Sequence, residues 1–149
     1  MAADQGPHPA AGPQVPASAA ALIARLGGEI RAELERRLEP LGIGPREFRL
    51  LEALAPTHGV SQRALGMAVG IHPNRMVSLV DQLEERGLIQ RRQHPSDRRA
   101  HALAMTTDGL RLLGQALGIA ASVDASLCAE LDATQRRQLL ALLSRLRAA

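Results

Sequence analysis

The sequence predicts a mainly α-helical fold carrying one small β-hairpin, and three observations support that prediction. Apolar side chains recur every third or fourth residue through most of the chain, the spacing of amphipathic helices. Glycine and proline punctuate these segments at helix-length intervals. The exception is LIQRRQHPSDRRAHALAMT, Leu88 to Thr106, where two short runs able to alternate apolar and polar flank a Pro-containing turn. Arg91, Arg92, Arg98 and Arg99 cluster on that hairpin, and Arg86 stands on the helical segment before it. Such a hairpin is suited to meet a polyanion. A helix followed by a basic hairpin is a winged helix, a shape used mostly to bind DNA.

Taken in order, residues 1–17 are Ala, Pro, Gly and Gln with almost no large apolar side chain, the composition of a disordered tail. From Ser18 the pattern changes. Leu22, Leu26, Ile30, Leu34, Leu38 and Leu41 predict a helix from Ala19 to Leu38, ended by Pro40 and Gly42. A second helix opens after Pro45, carries Phe48, Leu51 and Leu54, and stops before Pro56. Ser61 is the N-cap for a short third helix, Gln62 to Val69, closed by Gly70. Pro73 sits near the first position of a fourth, where its missing N–H costs nothing. Met76, Val77, Val80 and Leu83 give that helix an apolar face, and Gly87 ends it. The third and fourth helices, separated by Gly70, Ile71 and His72, form a helix-turn-helix whose second member lies in the major groove. Beyond the hairpin, Thr106 caps a long helix with Leu110, Leu113, Leu117 and Val123. Asp132 or Thr134 starts the last, with Leu139, Leu140, Leu142, Leu143 and Leu146.

At 149 residues the chain can build one domain with a real core. We read residues 18–149 as that domain, with a winged helix-turn-helix lobe at 42–105. The flanking helices, 18–41 and 106–149, have apolar faces wide for a compact monomer. They either complete the monomer core or pack against a second copy as a twofold dimer, and the width of the faces favours the dimer.

Composition excludes several function classes. All 18 basic side chains are arginine, against 15 acidic ones, for a formal charge of +3. The guanidinium fork suits phosphate and guanine. A GC-rich coding bias would also replace lysine throughout, so the positions of the arginines say more than their number. Phe48 is the sole aromatic residue, which disfavours the stacking platforms of single-stranded nucleic-acid binders and leaves duplex DNA. Cys128 is the sole cysteine, so no intrachain disulfide can form. No apolar run approaches the roughly 18 residues of a membrane span. The N-terminus also lacks a signal-peptide layout, so a cytoplasmic protein without membrane partners is expected. There is no glycine-rich phosphate loop, no cluster of His with carboxylates and no nucleophile beside a base, so enzymatic activity is not expected. His58, His72, His94 and His101 are scattered without ligand-like spacing, so neither metal nor cofactor is expected.

Gly42 to Gly109 resembles the MarR family of bacterial transcriptional regulators. The likeness is carried by Leu83-Glu84-Glu85-Arg86-Gly87-Leu88-Ile89, by Asp97-Arg98-Arg99, and by Met105-Thr106 with Gly109, in that order and spacing. The resemblance implies a triangular homodimer on a pseudo-palindromic operator. It also implies loss of DNA affinity when a small phenolic or aromatic acid binds between the dimer and DNA-binding lobes, or, in some members, when a cysteine is oxidised. A homodimeric repressor released by a small aromatic or acidic effector is thus the expected function. The alternatives are a winged-helix protein-interaction module, against which the charged wing argues, and an activator without an effector.

Candidate residues follow. Asp97 and Arg99 match the family's Asp-x-Arg pattern; Arg99 would enter the minor groove and Asp97 would orient an arginine. Arg91, Arg92 and Arg98 are expected to contact phosphates. On the recognition helix, Pro73, Asn74, Arg75 and Ser78 occupy the exposed first turns, where Asn can bond adenine and Arg guanine. This set departs from the commoner family pattern, so no family operator is carried over. Ser61, Gln62 and Arg63 open the preceding helix, either as plain capping and solvated face or as a phosphate contact. Arg46, Arg49 and His58 form the candidate pocket for an anionic effector. Cys128 is expected to be a small core residue and not a redox sensor.

Overall fold

The computed structural model describes residues 18–57, 59–94 and 97–147, with side chains described for all of these except 94 and 97–101. The expected disordered tail, His58 and the hairpin tip at 95–96 lie outside the described residues.

Helix α1 spans Ala19–Leu38 and runs into a 3-10 turn, Glu39–Leu41; α2 spans Pro45–Leu54. The Glu47 carboxylate accepts the Gly44 N–H (3.0 Å) at the start of α2, satisfying one of the donors a helix N-terminus leaves open. A two-residue strand β1, Val60–Ser61, precedes α3, Gln62–Val69, and α4 covers Pro73–Glu85. The hairpin is β2, Ile89–His94, and β3, Asp97–Met105; α5 is Thr107–Leu127 and α6 is Ala133–Arg147. Asp132 is the residue that caps α6. Its Oδ1 accepts the N–H groups of Thr134 and Gln135, while Gln135 Oε1 accepts the Asp132 N–H.

The sheet is antiparallel in the order β1-β3-β2. β2 and β3 pair from Ile89 with Met105 to His94 with Asp97, and the register shifts between Gln93 and His94. β1 was not anticipated from sequence. Two residues carry no periodic signal, and the strand exists because Val60 and Ser61 lie opposite Leu103 and Ala102.

One apolar core joins these elements. Leu38 of α1 meets Phe48, Leu50, Leu51 and Leu54 of α2, Leu65 and Val69 of α3, and Met76, Val80 and Leu83 of α4. Ile89 and Leu103 floor it from the sheet, and Leu113 and Ala116 of α5 close it. Each fully buried leucine contributes about 2–3 kcal/mol of transfer free energy. The end of α1 and the first half of α5 are therefore built into the same core as the helix-turn-helix. α1 also packs along α5, where Arg37 donates to Ser122 Oγ (2.8 Å). α6 buries no residue at all, and Leu140, Leu142, Leu143 and Leu146 along it are exposed. No helix among the described residues is long and apolar enough to cross a membrane.

Candidate nucleic-acid interface

The recognition helix is set by its turn. α3 ends at Gly70 in the left-handed region (φ 68°), which an L side chain enters only with strain, and the Ile71 N–H returns to the Gly66 carbonyl (2.9 Å). α4 packs against α3 at Gly66, where a Cβ would lie at ordinary contact distance, 3.4 Å, from the Ile71 carbonyl oxygen and Met76. Met76, Val80 and Leu83 are at most 1 % exposed, so burial fixes which side of α4 faces outward. Pro73, Asn74, Arg75 and Ser78 all lie on that exposed side. Val77 does too, at 46 % exposure, although its spacing had placed it on the apolar face. It is an additional outward residue of α4.

The preceding helix is divided. The Ser61 hydroxyl accepts the Ala64 N–H (3.2 Å) and so caps α3, Gln62 is half-buried, and Arg63 is exposed. Among the described residues, Arg46, Arg63 and Arg75 form no ion pair. Arg46 and Arg75 line one open groove of about 680 Å³, together with Asn74, Ser78 and the turn residues Gly70 and His72. Arg49 does not join them there. Its Nη2 donates to the Val69 carbonyl (3.1 Å) and supports the end of α3. The three residues expected as an effector pocket are thus not gathered: Arg46 faces the groove, Arg49 is engaged, and His58 is outside the described residues.

On the wing, the backbone places Asp97, Arg98 and Arg99 on the first residues of β3, beside the tip. Arg92 is exposed. Arg91 differs from what the basic run suggested. Its Nη2 donates to Asp81 Oδ1 (2.5 Å) and more weakly to Gln62 Oε1 (3.5 Å), its Nη1 to Glu84 Oε2, and its backbone N–H to Glu84 Oε1 (2.9 Å). Two carboxylates of α4 thus engage the guanidinium, which does not stand free on the hairpin as the basic run suggests. Arg86 also turns inward, donating to the carbonyls of Gly42 (2.7 Å) and Leu41 (3.3 Å). Sequence carried no signal for this, because the acceptors lie 44 and 45 residues away in the chain.

The Arg91 backbone N–H, and after it the guanidinium, hold the Glu84 carboxyl below its ordinary 4.5, against the opposing effects of burial and Asp81. A depressed carboxylate pKa stabilises the fold fully above the unfolded value, and that contribution is lost as pH falls through the folded one. Glu84→Gln should accordingly lower stability to urea at pH 7, with a smaller gap from the natural chain at pH 3. An equal gap at both pH values would remove Glu84 from the acid response.

The wing joins α5 through a compact device. The Thr106 hydroxyl donates to the carbonyls of Gly87 and Leu88 and accepts the Gly109 N–H (3.0 Å), capping α5. At Gly109 the Leu88 carbonyl lies so close that a Cβ would meet its oxygen at 2.0 Å. Cys128, a free thiol at the end of α5, is buried. Among the described residues no three His, Cys, Asp or Glu side chains group as a metal site.

Comparison with known proteins agrees with this arrangement. The model of the MarR family matches residues 41–100. A putative transcriptional regulatory protein for the hcr operon of Thauera aromatica is 36% identical over 105 residues, which are 70% of this chain and 63% of that protein's own length. An HTH-type transcriptional repressor of Mycobacterium tuberculosis is 30% identical over 125 residues, 84% of this chain and 90% of that one. Among solved structures, CouR from Rhodococcus jostii RHA1 bound to p-coumaroyl-CoA superposes with a TM-score of 0.75 at 31% identity, covering 85% of this chain and 90% of CouR. CouR bound to a 23-mer DNA duplex gives 0.79 at 27% identity, over 87% and 92%.

Proposed function

The chain belongs to the MarR family of transcriptional regulators, and from that premise we propose that it is a homodimeric repressor released from its operator by a small acidic effector. The observation that carries the reading is the outward face of α4, where Asn74, Arg75 and Ser78 stand exposed and line one groove with Arg46. Asn74 and Arg75 are the base-reading pair, since amide and guanidinium each match two acceptors or donors on one base edge. Pro73 opens the helix beside them, and Ser78 lines the groove. Arg99 reaches the minor groove, Asp97 orients it, and Arg92, Arg98 and Arg63 neutralise phosphates. Ser61 and Gln62 shape the start of α3.

The exposed leucines of α6, with Leu22, Ile23 and Leu26 at the start of α1, support a twofold dimer, because a solvated row of this size is unusual on a monomer. The effector reading draws on two things: the p-aminosalicylic acid in the complex of a similar MarR family protein of Mycobacterium tuberculosis, and Arg46 and Arg75, which share one groove and form no ion pair among the described residues. A carboxylate held there would stand where Asn74 and Arg75 must meet DNA, so binding of the two would be exclusive.

The test is anisotropy titration of labelled duplex from the chain's own upstream region, beside a scrambled duplex, at several salt concentrations. The label belongs on the DNA because the protein has no Trp or Tyr. The expected result is tighter binding to the upstream duplex with a steep salt slope. Arg99→Ala should weaken that binding by about 1–3 kcal/mol and leave the dimer intact. Equal, weak binding to both duplexes would overturn the reading.

A further inference from the structure

We infer that Arg91 is a positioning residue that locks the wing to the recognition helix and does not itself touch DNA. The inference rests on the DNA-binding reading above and changes what one arginine of the basic hairpin does within it. Three elements converge on this side chain. Asp81 and Glu84 stand one turn apart on the wing side of α4, Gln62 opens α3, and Arg91 reaches all three from β2. Glu84 binds it twice, through the backbone N–H and the guanidinium, so strand and helix are joined at main chain as well as side chain. The Arg91 side chain is only 26 % exposed.

Charge points the same way. Two carboxylates meet one guanidinium, which leaves the cluster net negative on a helix meant to approach a polyanion. A phosphate arriving there would have to displace a carboxylate from Arg91 and then lie beside both. The carboxylates make sense as anchors for the strand and are unfavourable for any direct contact with DNA.

Leverage explains why an anchor is useful at this level. Arg91 pairs with Leu103 near the base of the hairpin, while Asp97 pairs with His94 beside the tip. Three residues of β2 separate the two levels, about 10 Å, so a tilt of about 10° there displaces the tip by about 2 Å. That is enough to lift an arginine side chain out of a groove. Loss of the clamp therefore loosens sequence recognition while leaving the general attraction to DNA in place.

The experiment compares the natural chain with Arg91→Ala and with the double variant Asp81→Ala, Glu84→Ala. Each is titrated on the upstream and scrambled duplexes across a salt series, after thermal melting establishes that it folds. With the clamp, Arg91→Ala reduces the preference for the upstream duplex by about 10-fold and leaves the salt slope unchanged. A phosphate contact instead predicts equal weakening on both duplexes and a salt slope lower by about 1. Either that result or an unchanged preference overturns the proposal.

The double variant separates the readings by sign, and it keeps the test alive should Arg91→Ala unfold. With the clamp, removing two negative charges strengthens binding to the scrambled duplex while the preference falls. If Arg91 contacts phosphate, freeing it strengthens both duplexes alike and the preference is retained, which overturns the proposal. A merely structural role would lower the melting temperature without moving the preference. If the natural chain itself shows no preference, the repressor reading fails first and the assignment of Arg91 fails with it.

Discussion

Replacing Gly109 with alanine is expected to destabilise the fold by about 3 kcal/mol, at the upper end of what overpacking a tight site costs. The new methyl would stand 2.0 Å from the Leu88 carbonyl oxygen and 3.0 Å from its carbon, both backbone atoms with no rotamer to yield. Relief requires the start of α5 to move off the entry of β2, and that movement strains the Thr106 hydroxyl bridge to Gly87 and Leu88. In thermal melting the loss should appear as a drop of about 10 °C. Gly114, on the same helix, has no atom within 4 Å of its would-be Cβ. Gly114→Ala should therefore change stability in the other direction, by about 0.5–1 kcal/mol from helix propensity alone. If the two variants melted alike, the close approach at Gly109 would not be what fixes that residue.

Leu142→Glu combined with Leu146→Glu should leave a monomer in sedimentation, and affinity for the upstream duplex should fall by about 100-fold or more as paired half-site binding is lost. The two leucines are 57% and 62% exposed on a helix that buries none of its own residues. A 15-residue helix that buries none of its residues is marginal in water, and under the dimer proposal a second copy covers it. Glutamate at both positions places charges where apolar contact is required, and desolvating an unpaired carboxylate is far more costly than exposing a leucine. A dimer that persists in the double variant would refute α6 as the interface.

Much of this architecture was legible because its boundaries are written in residues with local physical effects. Ser61 and Thr106 cap, Pro73 starts a helix, and Gly70 and Gly87 adopt φ 68° after helices end. Cys128 in an Ala- and Leu-rich stretch read as a core residue, and it is buried. What sequence did not disclose depends on partners distant in the chain. β1 is defined only by Leu103 and Ala102 across the sheet. Arg91 looked like one more cation in a basic run because Asp81 and Glu84 belong to another element, and only the fold brings them within bonding distance. Arg49 is expected in the effector pocket for the same reason, yet its guanidinium donates to the Val69 carbonyl. Val77 was assigned inward because a period of 3.6 leaves flanking positions ambiguous, and packing turned it outward.

Arg86 gives the molecule a load path. It stands at the C-terminal end of α4 and grips the carbonyls of Leu41 and Gly42, where the chain leaves α1. The far end of the recognition helix is thereby pinned to the exit of the first helix, while Arg91 holds its flank to the wing. A displacement of α4 along its own axis would stretch the Arg86 hydrogen bonds, so the exit of α1 and the end of α4 are mechanically coupled through one side chain.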